Sequence, residues 1–185
     1  MNALRREFLE AIQHEDVTRF KFVDETGVNL TYTRRYGRAV GGRRVDAAVA
    51  LRNGPNVTLV AALTPQGLEA VMELDGAVNT GSFAAYLAQV LGPTLQAGDV
   101  VMLDHLRVHK AAGLVEARGA RRLYLPPYSP DFMLIELAFS KFKTHLRTAA
   151  ARTHEALMEA VRTAMNWITA EDAQNWFDHC GYHVH

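Results

Sequence analysis

At 185 residues the chain is long enough for one domain with a substantial core, and its apolar share of 49% excludes a disordered protein. A net charge of zero argues against a dedicated basic nucleic-acid module. The single cysteine, Cys180, excludes an internal disulfide framework and suits a reducing cytoplasm, and neither a signal-peptide core nor a membrane-length apolar run is present.

Residues 3–14 read as a short amphipathic helix, the tail of an inter-domain linker. From Arg19, Phe20 and Phe22 alternate with polar partners up to Val23-Asp24, which predicts a strand ending on Asp24. Thr31 to Val40 alternates Tyr32, Arg34, Tyr36 and Arg38 and predicts another strand or an extended arm. Arg44 to Leu51 and Asn56 to Leu63 are apolar and β-branched, with Arg52-Asn53-Gly54-Pro55 as the turn between two strands. A second turn, Thr64-Pro65-Gln66-Gly67, leads to a strand over Leu68 to Leu74.

The period then changes. Asn79-Thr80-Gly81-Ser82 offers capping residues for a helix over Phe83 to Leu91. Val100 to Asp104 is an apolar strand that closes on an acid. A short helix over Ala111 to Arg118, a strand over Arg122 to Leu125, and helices over Ile135 to Arg147, His154 to Ile168 and Glu171 to Phe177 complete the chain. Strands first, then alternating helix and strand, make an α/β protein with a mixed sheet flanked by helices. Sites in such sheets gather at strand C-terminal ends, where Asp24 and Asp104 are expected.

Between the last strand and the helix at Ile135 lies Leu125-Pro126-Pro127-Tyr128-Ser129-Pro130-Asp131-Phe132-Met133-Leu134-Ile135-Glu136. Three prolines in five residues stiffen a turn just before a carboxylate, Glu136, in the first helical turn. Asp24, Asp104 and Glu136 then stand on three separate elements, the pattern a two-metal phosphodiester site requires. Magnesium and manganese prefer such oxygen ligands. Each acid alone has a plainer role: an aspartate caps a turn, and a glutamate favours a helix N-terminus. Glu25 stands beside Asp24 as an alternative but faces the other way on a strand, and Asp131 is an alternative to Glu136 or a helix cap. Two basic clusters, Arg34, Arg35, Arg38, Arg43, Arg44 and Lys141, Lys143, Arg147, Arg152, suit either phosphate contacts or solvated faces.

The set Phe22-Val23-Asp24-Glu25-Thr26-Gly27, Val101-Met102-Leu103-Asp104 with His109-Lys110, and Leu125 to Glu136 resembles a DDE transposase. Within that superfamily it is similar to the bacterial insertion-sequence branch of the mariner-like enzymes, the IS six-thirty family. Thr33-Arg34-Arg35-Tyr36-Gly37-Arg38 and Trp176 to Tyr182 extend the likeness over nearly the whole chain. The resemblance implies a ribonuclease H-like fold, a mixed five-stranded sheet flanked by helices. It divides the chain into a linker remnant (1–18), a catalytic domain (19–150) and a C-terminal helical extension of that domain (151–185).

The resemblance further implies metal-dependent DNA cleavage and strand transfer. Asp24, Asp104 and Glu136 match the catalytic acids and would hold two Mg2+ or Mn2+ ions. One ion would activate water, and the freed 3′-hydroxyl would attack target DNA without a covalent protein intermediate. His109 and Lys110 match a recurring pair near the DNA or the metal, and Arg34, Arg35, Arg38, Lys141 and Lys143 are the candidate DNA contacts. The implied partners are transposon ends, target DNA and a second copy of the chain, with no membrane; the implied location is the cytoplasm, at the nucleoid.

Four departures from the family pattern stand out. Met133-Leu134 replaces Asn-Pro, a cap and first-turn pair whose loss costs about 1 kcal/mol or more and is expected to loosen Glu136. His105 replaces an asparagine. The Asp104–Glu136 interval of 32 positions is short, with the deficit around Ala111 to Gly119. The chain also begins after the family's helix-turn-helix region, as half of a split enzyme, a truncated copy or an excised domain would. These departures support a competing reading, a decayed or repurposed domain that binds DNA or partners without cleavage. A zinc site at His179, Cys180, His183 and His185 is a third reading, although the spacing matches no usual zinc motif.

Overall fold

Five strands form one mixed sheet in the order β3-β2-β1-β4-β5, with β1 Phe20–Val28, β2 Val57–Thr64, β3 Gly67–Asp75, β4 Val100–Leu103 and β5 Arg121–Tyr124. The first three strands pair antiparallel, and β4 and β5 continue the sheet parallel to β1. The structure is a computed structural model and describes residues 3–49, 51, 54–104, 113–127 and 129–183.

β1 is longer than its alternation predicts. Its antiparallel pairing with β2 runs from Phe22↔Leu63 through Asp24↔Ala61 to Val28↔Val57. Asp24 is therefore mid-strand rather than terminal, because β2 carries the backbone ladder four residues past it. The parallel pairing with β4 is shorter and covers only Phe20↔Val100 to Phe22↔Met102. β2 lies between two strands under layers on both faces, which is why all eight of its residues are buried.

The expected strands over Thr31 to Val40 and Arg44 to Leu51 do not form. Their described residues are irregular, apart from a tight turn at Val40–Gly42. Alternation makes a strand only when one side of it is buried. Here Tyr36, Val40 and Leu51 are 90%, 89% and 99% exposed, so neither side of the segment finds a sheet. The turn expected at Arg52-Asn53 lies outside the described residues. The turn at Thr64–Gly67 does form: the Thr64 hydroxyl accepts from the Gln66 amide and donates to the Gly67 carbonyl, both at 3.2 Å.

Helices cover both faces. On one, Val23, Val60, Val101 and Leu103 pack under α2 (Thr80–Ala85) and the wider helical turn Tyr86–Leu91 that prolongs it. Asn79 and Ser82 cap α2 reciprocally, as the sequence predicts. On the other, Phe20, Phe22, Val100 and Met102 pack under α3 (Ile135–Ala149), α4 (His154–Asn166) and α5 (Ala170–His179). The N-terminal helix α1 (Ala3–Ile12) adds Phe8 to this second core. Phe22 meets Tyr182 at 5.2 Å and Phe177 at 5.6 Å between ring centroids, and burying such a ring contributes about 1.5–3 kcal/mol. Of the helix expected over Ala111 to Arg118, the described part is one tight turn, Glu116–Arg118. Among the described residues, no helix is long and apolar enough to cross a membrane.

Candidate active site

Register aligns the two aspartates just past the paired stretch of neighbouring strands. Phe22 pairs with Met102 across the parallel ladder, and Asp24 and Asp104 each stand two residues further on. A step of two keeps a strand side chain on its own face. Asp24 thus shares the face of Phe20 and Phe22, and Asp104, the residue after β4, continues that of Val100 and Met102. Glu25 belongs to the opposite face. Both aspartates are half-buried.

The helix covering that face carries the third acid. α3 inserts Ile135, Ala138, Phe139, Phe142 and Leu146 into the core, and its packing reaches β1 and β2. Glu136 lies in its first turn with an exposed side chain. No side chain caps this helix at Leu134. The Glu136 amide donates instead to the Met133 carbonyl at 3.1 Å, and the Leu137 amide to that of Leu134 at 3.0 Å. Met133 and Leu134 are only 7% and 0% exposed. They secure the start of α3 by burial in place of a cap.

Strand register and helix packing thus set Asp24, Asp104 and the helix that carries Glu136 on one face of the sheet. The donor chemistry of the three acids suits a hard divalent cation. Among the described residues, however, no three His, Cys, Asp or Glu side chains are gathered closely enough to hold a metal ion. The same holds for the C-terminal residues: His183 Nδ1 lies 3.5 Å from Asp178, Cys180 is half-buried with its thiol pKa pushed up by that burial, and His185 lies outside the described residues.

The basic residues separate by helical phase. Lys143 and Arg147 lie seven and eleven residues after Glu136, spacings that return to the same helix face. The Arg147 guanidinium sits 5.5 Å from the Tyr32 ring centroid, which draws the β1–β2 connection over α3. Burial raises the Tyr32 phenol pKa, and the charges of Arg147 and Arg35 oppose that shift, so Arg35 is close by. Arg34, Arg35 and Arg38 are exposed on the same connection. Lys141 points elsewhere: its Nζ lies 2.5 Å from Asp172 on α5. His105, His109 and Lys110 lie outside the described residues.

One cluster had no sequence signal. Arg5 on α1 forks onto both carboxylate oxygens of Asp131, and its NH1 donates to the Ser129 hydroxyl at 3.2 Å. Asp131 is thus engaged with α1 and does not cap α3. This pair joins residues 126 positions apart, which no local spacing reveals.

The sequence model of the DDE superfamily endonuclease family matches residues 19–158. The chain belongs to that family. No curated protein matches it. Among solved structures, a pre-cleavage Mos1 transpososome is 15% identical with a TM-score of 0.75, the match covering 97% of this chain and 60% of that one. The Mos1 mariner paired end complex with Mn is 16% identical with a TM-score of 0.74, over 97% and 60% of the two chains. The catalytic domain of Mos1 mariner transposase is 13% identical with a TM-score of 0.69, and here the match covers 97% of this chain and 90% of that domain. The DDE chain thus spans about 60% of the transposases in the complexes. At these identities the likeness shows the fold: the α/β, ribonuclease H-like architecture of the Mos1 catalytic domain, with its mixed five-stranded sheet flanked by helices.

Proposed function

We propose that this domain is a DDE transposase catalytic domain that cuts DNA phosphodiesters with divalent metal and transfers the freed 3′ end to a target. The observation that carries the reading is the shared face of Asp24, Asp104 and Glu136, two on adjacent strands and one on the helix above them. Asp24 and Asp104 would supply oxygen ligands from a rigid sheet, and Glu136 a third from α3. Mg2+ or Mn2+ held there would supply Lewis-acid activation of the attacking oxygen and stabilisation of the leaving one. Carboxylates of like charge repel, and a cation is what draws three onto one point. Mos1 structures with Mg and with Mn carry the same fold, in keeping with this metal use.

Lys143 and Arg147, in line with Glu136 along α3, and Arg34, Arg35 and Arg38 on the connection folded toward them would grip the DNA backbone. The Mos1 neighbours include paired-end complexes, which supports transposon ends as the DNA and a homodimer as the working form. The motif pattern supports the IS six-thirty branch as the source of the domain and the bacterial nucleoid as its place of action.

Manganese binding by calorimetry tests the site directly. The parent should bind Mn2+ and Asp104→Ala should not, and Glu136→Gln should lower plasmid nicking by more than about 100-fold, beyond the 10–100-fold typical of groups that only orient ligands. A Glu136→Gln variant that nicks like the parent sinks the assignment. Absence of both metal binding and nicking in a folded parent favours the second reading, a domain that binds DNA without cleaving it, for which the Met133-Leu134 replacement beside Glu136 is the motivating feature.

A further inference from the structure

We propose that Arg5 is a positioning residue for Glu136: from α1 it fastens the turn from which α3 starts. The proposal rests on the functional reading above. Because α3 has no side-chain cap, its start depends on what holds the residues just before it. Those residues are Ser129 and the tight turn Pro130–Phe132, and Arg5 engages them three ways. Its guanidinium forks onto the Asp131 carboxylate, donates to the buried Ser129 hydroxyl and lies 4.6 Å from the Phe132 ring centroid. Phe8, one turn further along α1, meets the same Phe132 ring at 5.1 Å. Tyr182 donates to the Phe132 carbonyl at 3.3 Å from the other side.

From this turn the chain has little slack. Met133 and Leu134 are buried immediately after it, and their carbonyls accept from the Glu136 and Leu137 amides. A shift of Asp131 or Phe132 therefore passes through two immobilised residues to Glu136. Arginine suits the task because its planar fork serves two acceptors while its face lies on an aromatic ring, which an ammonium does not match. A role confined to general stability would loosen α3, α4 and α5 alike. A positioning role loosens the first turn of α3 selectively and lowers turnover at an unchanged DNA KM.

The experiment compares the parent with Arg5→Met, which keeps an apolar stem over Phe132, and with Asp131→Asn, which removes the same ion pair from a partly exposed partner that a fold tolerates. Hydrogen exchange should quicken by about 10-fold or more at the Glu136 and Leu137 amides, with α4 and α5 unchanged. Mn2+-dependent nicking should lose about 10–100-fold in kcat with KM for DNA held, and Arg5→Lys should recover only part of it. Unchanged exchange at Glu136 and Leu137 overturns the proposal. So does an equal quickening across α3, α4 and α5, or an unchanged kcat. A parent that neither binds Mn2+ nor nicks defeats the functional reading instead, and the exchange measurement then still decides whether Arg5 sets the start of α3.

Discussion

The hydrogen bond from Arg5 holds the Asp131 carboxyl below the ordinary aspartate range, and Asp131 in turn raises the Arg5 pKa. A group whose pKa is depressed by folding stabilises the fold above its unfolded value, about 3.9 for aspartate, and that stability is lost as the pH falls through the folded value. Arg5 stays charged throughout the accessible range, so the pair has an acid limb and no alkaline one. Thermal melts of the parent and Asp131→Asn should therefore differ between pH 5 and 8 and draw together only as the pH falls from about 4 through the lower folded value of Asp131. A difference that persists in acid would mean that Asp131 acts through packing rather than charge. A second ion-pair group lies in a more buried setting, at Lys21. Its side chain is 11% exposed, and its Nζ pairs with Glu69 and lies 3.7 Å from Asp99, which the Gln96 amide also holds at 2.9 Å. These charges sit at the start of β1 and are fully occupied with one another, so they brace the sheet at the opposite end of that strand from Val28.

At the scale of elements, the Met133-Leu134 pair decides between two magnitudes. An Asn-Pro pair would restore a cap contribution of about 1 kcal/mol. It would also remove a fully buried leucine, on a scale where Leu→Ala costs about 2–5 kcal/mol, and place an amide where Met133 is 7% exposed. Burial wins, so the double replacement should lower stability by about 1–3 kcal/mol in urea denaturation. A rise in stability would show that α3 lacks its cap more than it needs the leucine. The same elements show what the sequence made legible. β4, β5 and the three long helices follow their apolar periods closely, and local pattern singles out two of the candidate acids, Glu136 after the proline block and Asp104 after an apolar run. The extent of β1 was hidden, since its last residues, Glu25 to Val28, depend on β2 rather than on local alternation. The false strands over Thr31 to Val40 and Arg44 to Leu51 arose from alternation in the first and apolar residues in the second that find no core to face. The Arg5–Asp131 fork is a tertiary event with no local trace, and only helical phase, not charge count, separates Lys143 from Lys141.

The molecule as a whole is larger than its family signature. The matched stretch ends at residue 158, yet the core on the face of Asp24 includes Phe8 before it and Val161, Ala164, Ile168, Ala173, Phe177 and Tyr182 after it. Phe177 and Tyr182 close the aromatic group around Phe20 and Phe22, both fully buried. Removing one buried phenylalanine side chain costs about 3–5 kcal/mol, against a total stability of about 5–15 kcal/mol for a domain. Residues 19–158 alone would lose Phe8, Phe177 and Tyr182 together with Ala160, Val161 and Ala164 of α4 and the whole of α5. The summed loss exceeds any stability the remainder holds. That fragment should show no cooperative melt and no near-ultraviolet dichroism, while the full chain shows both. A sharp two-state melt of residues 19–158 would mean that α1 and α5 decorate a finished core. Its absence would make the flanking helices part of the unit that presents Asp24, Asp104 and Glu136, because the face on which the acids stand is the one those helices seal.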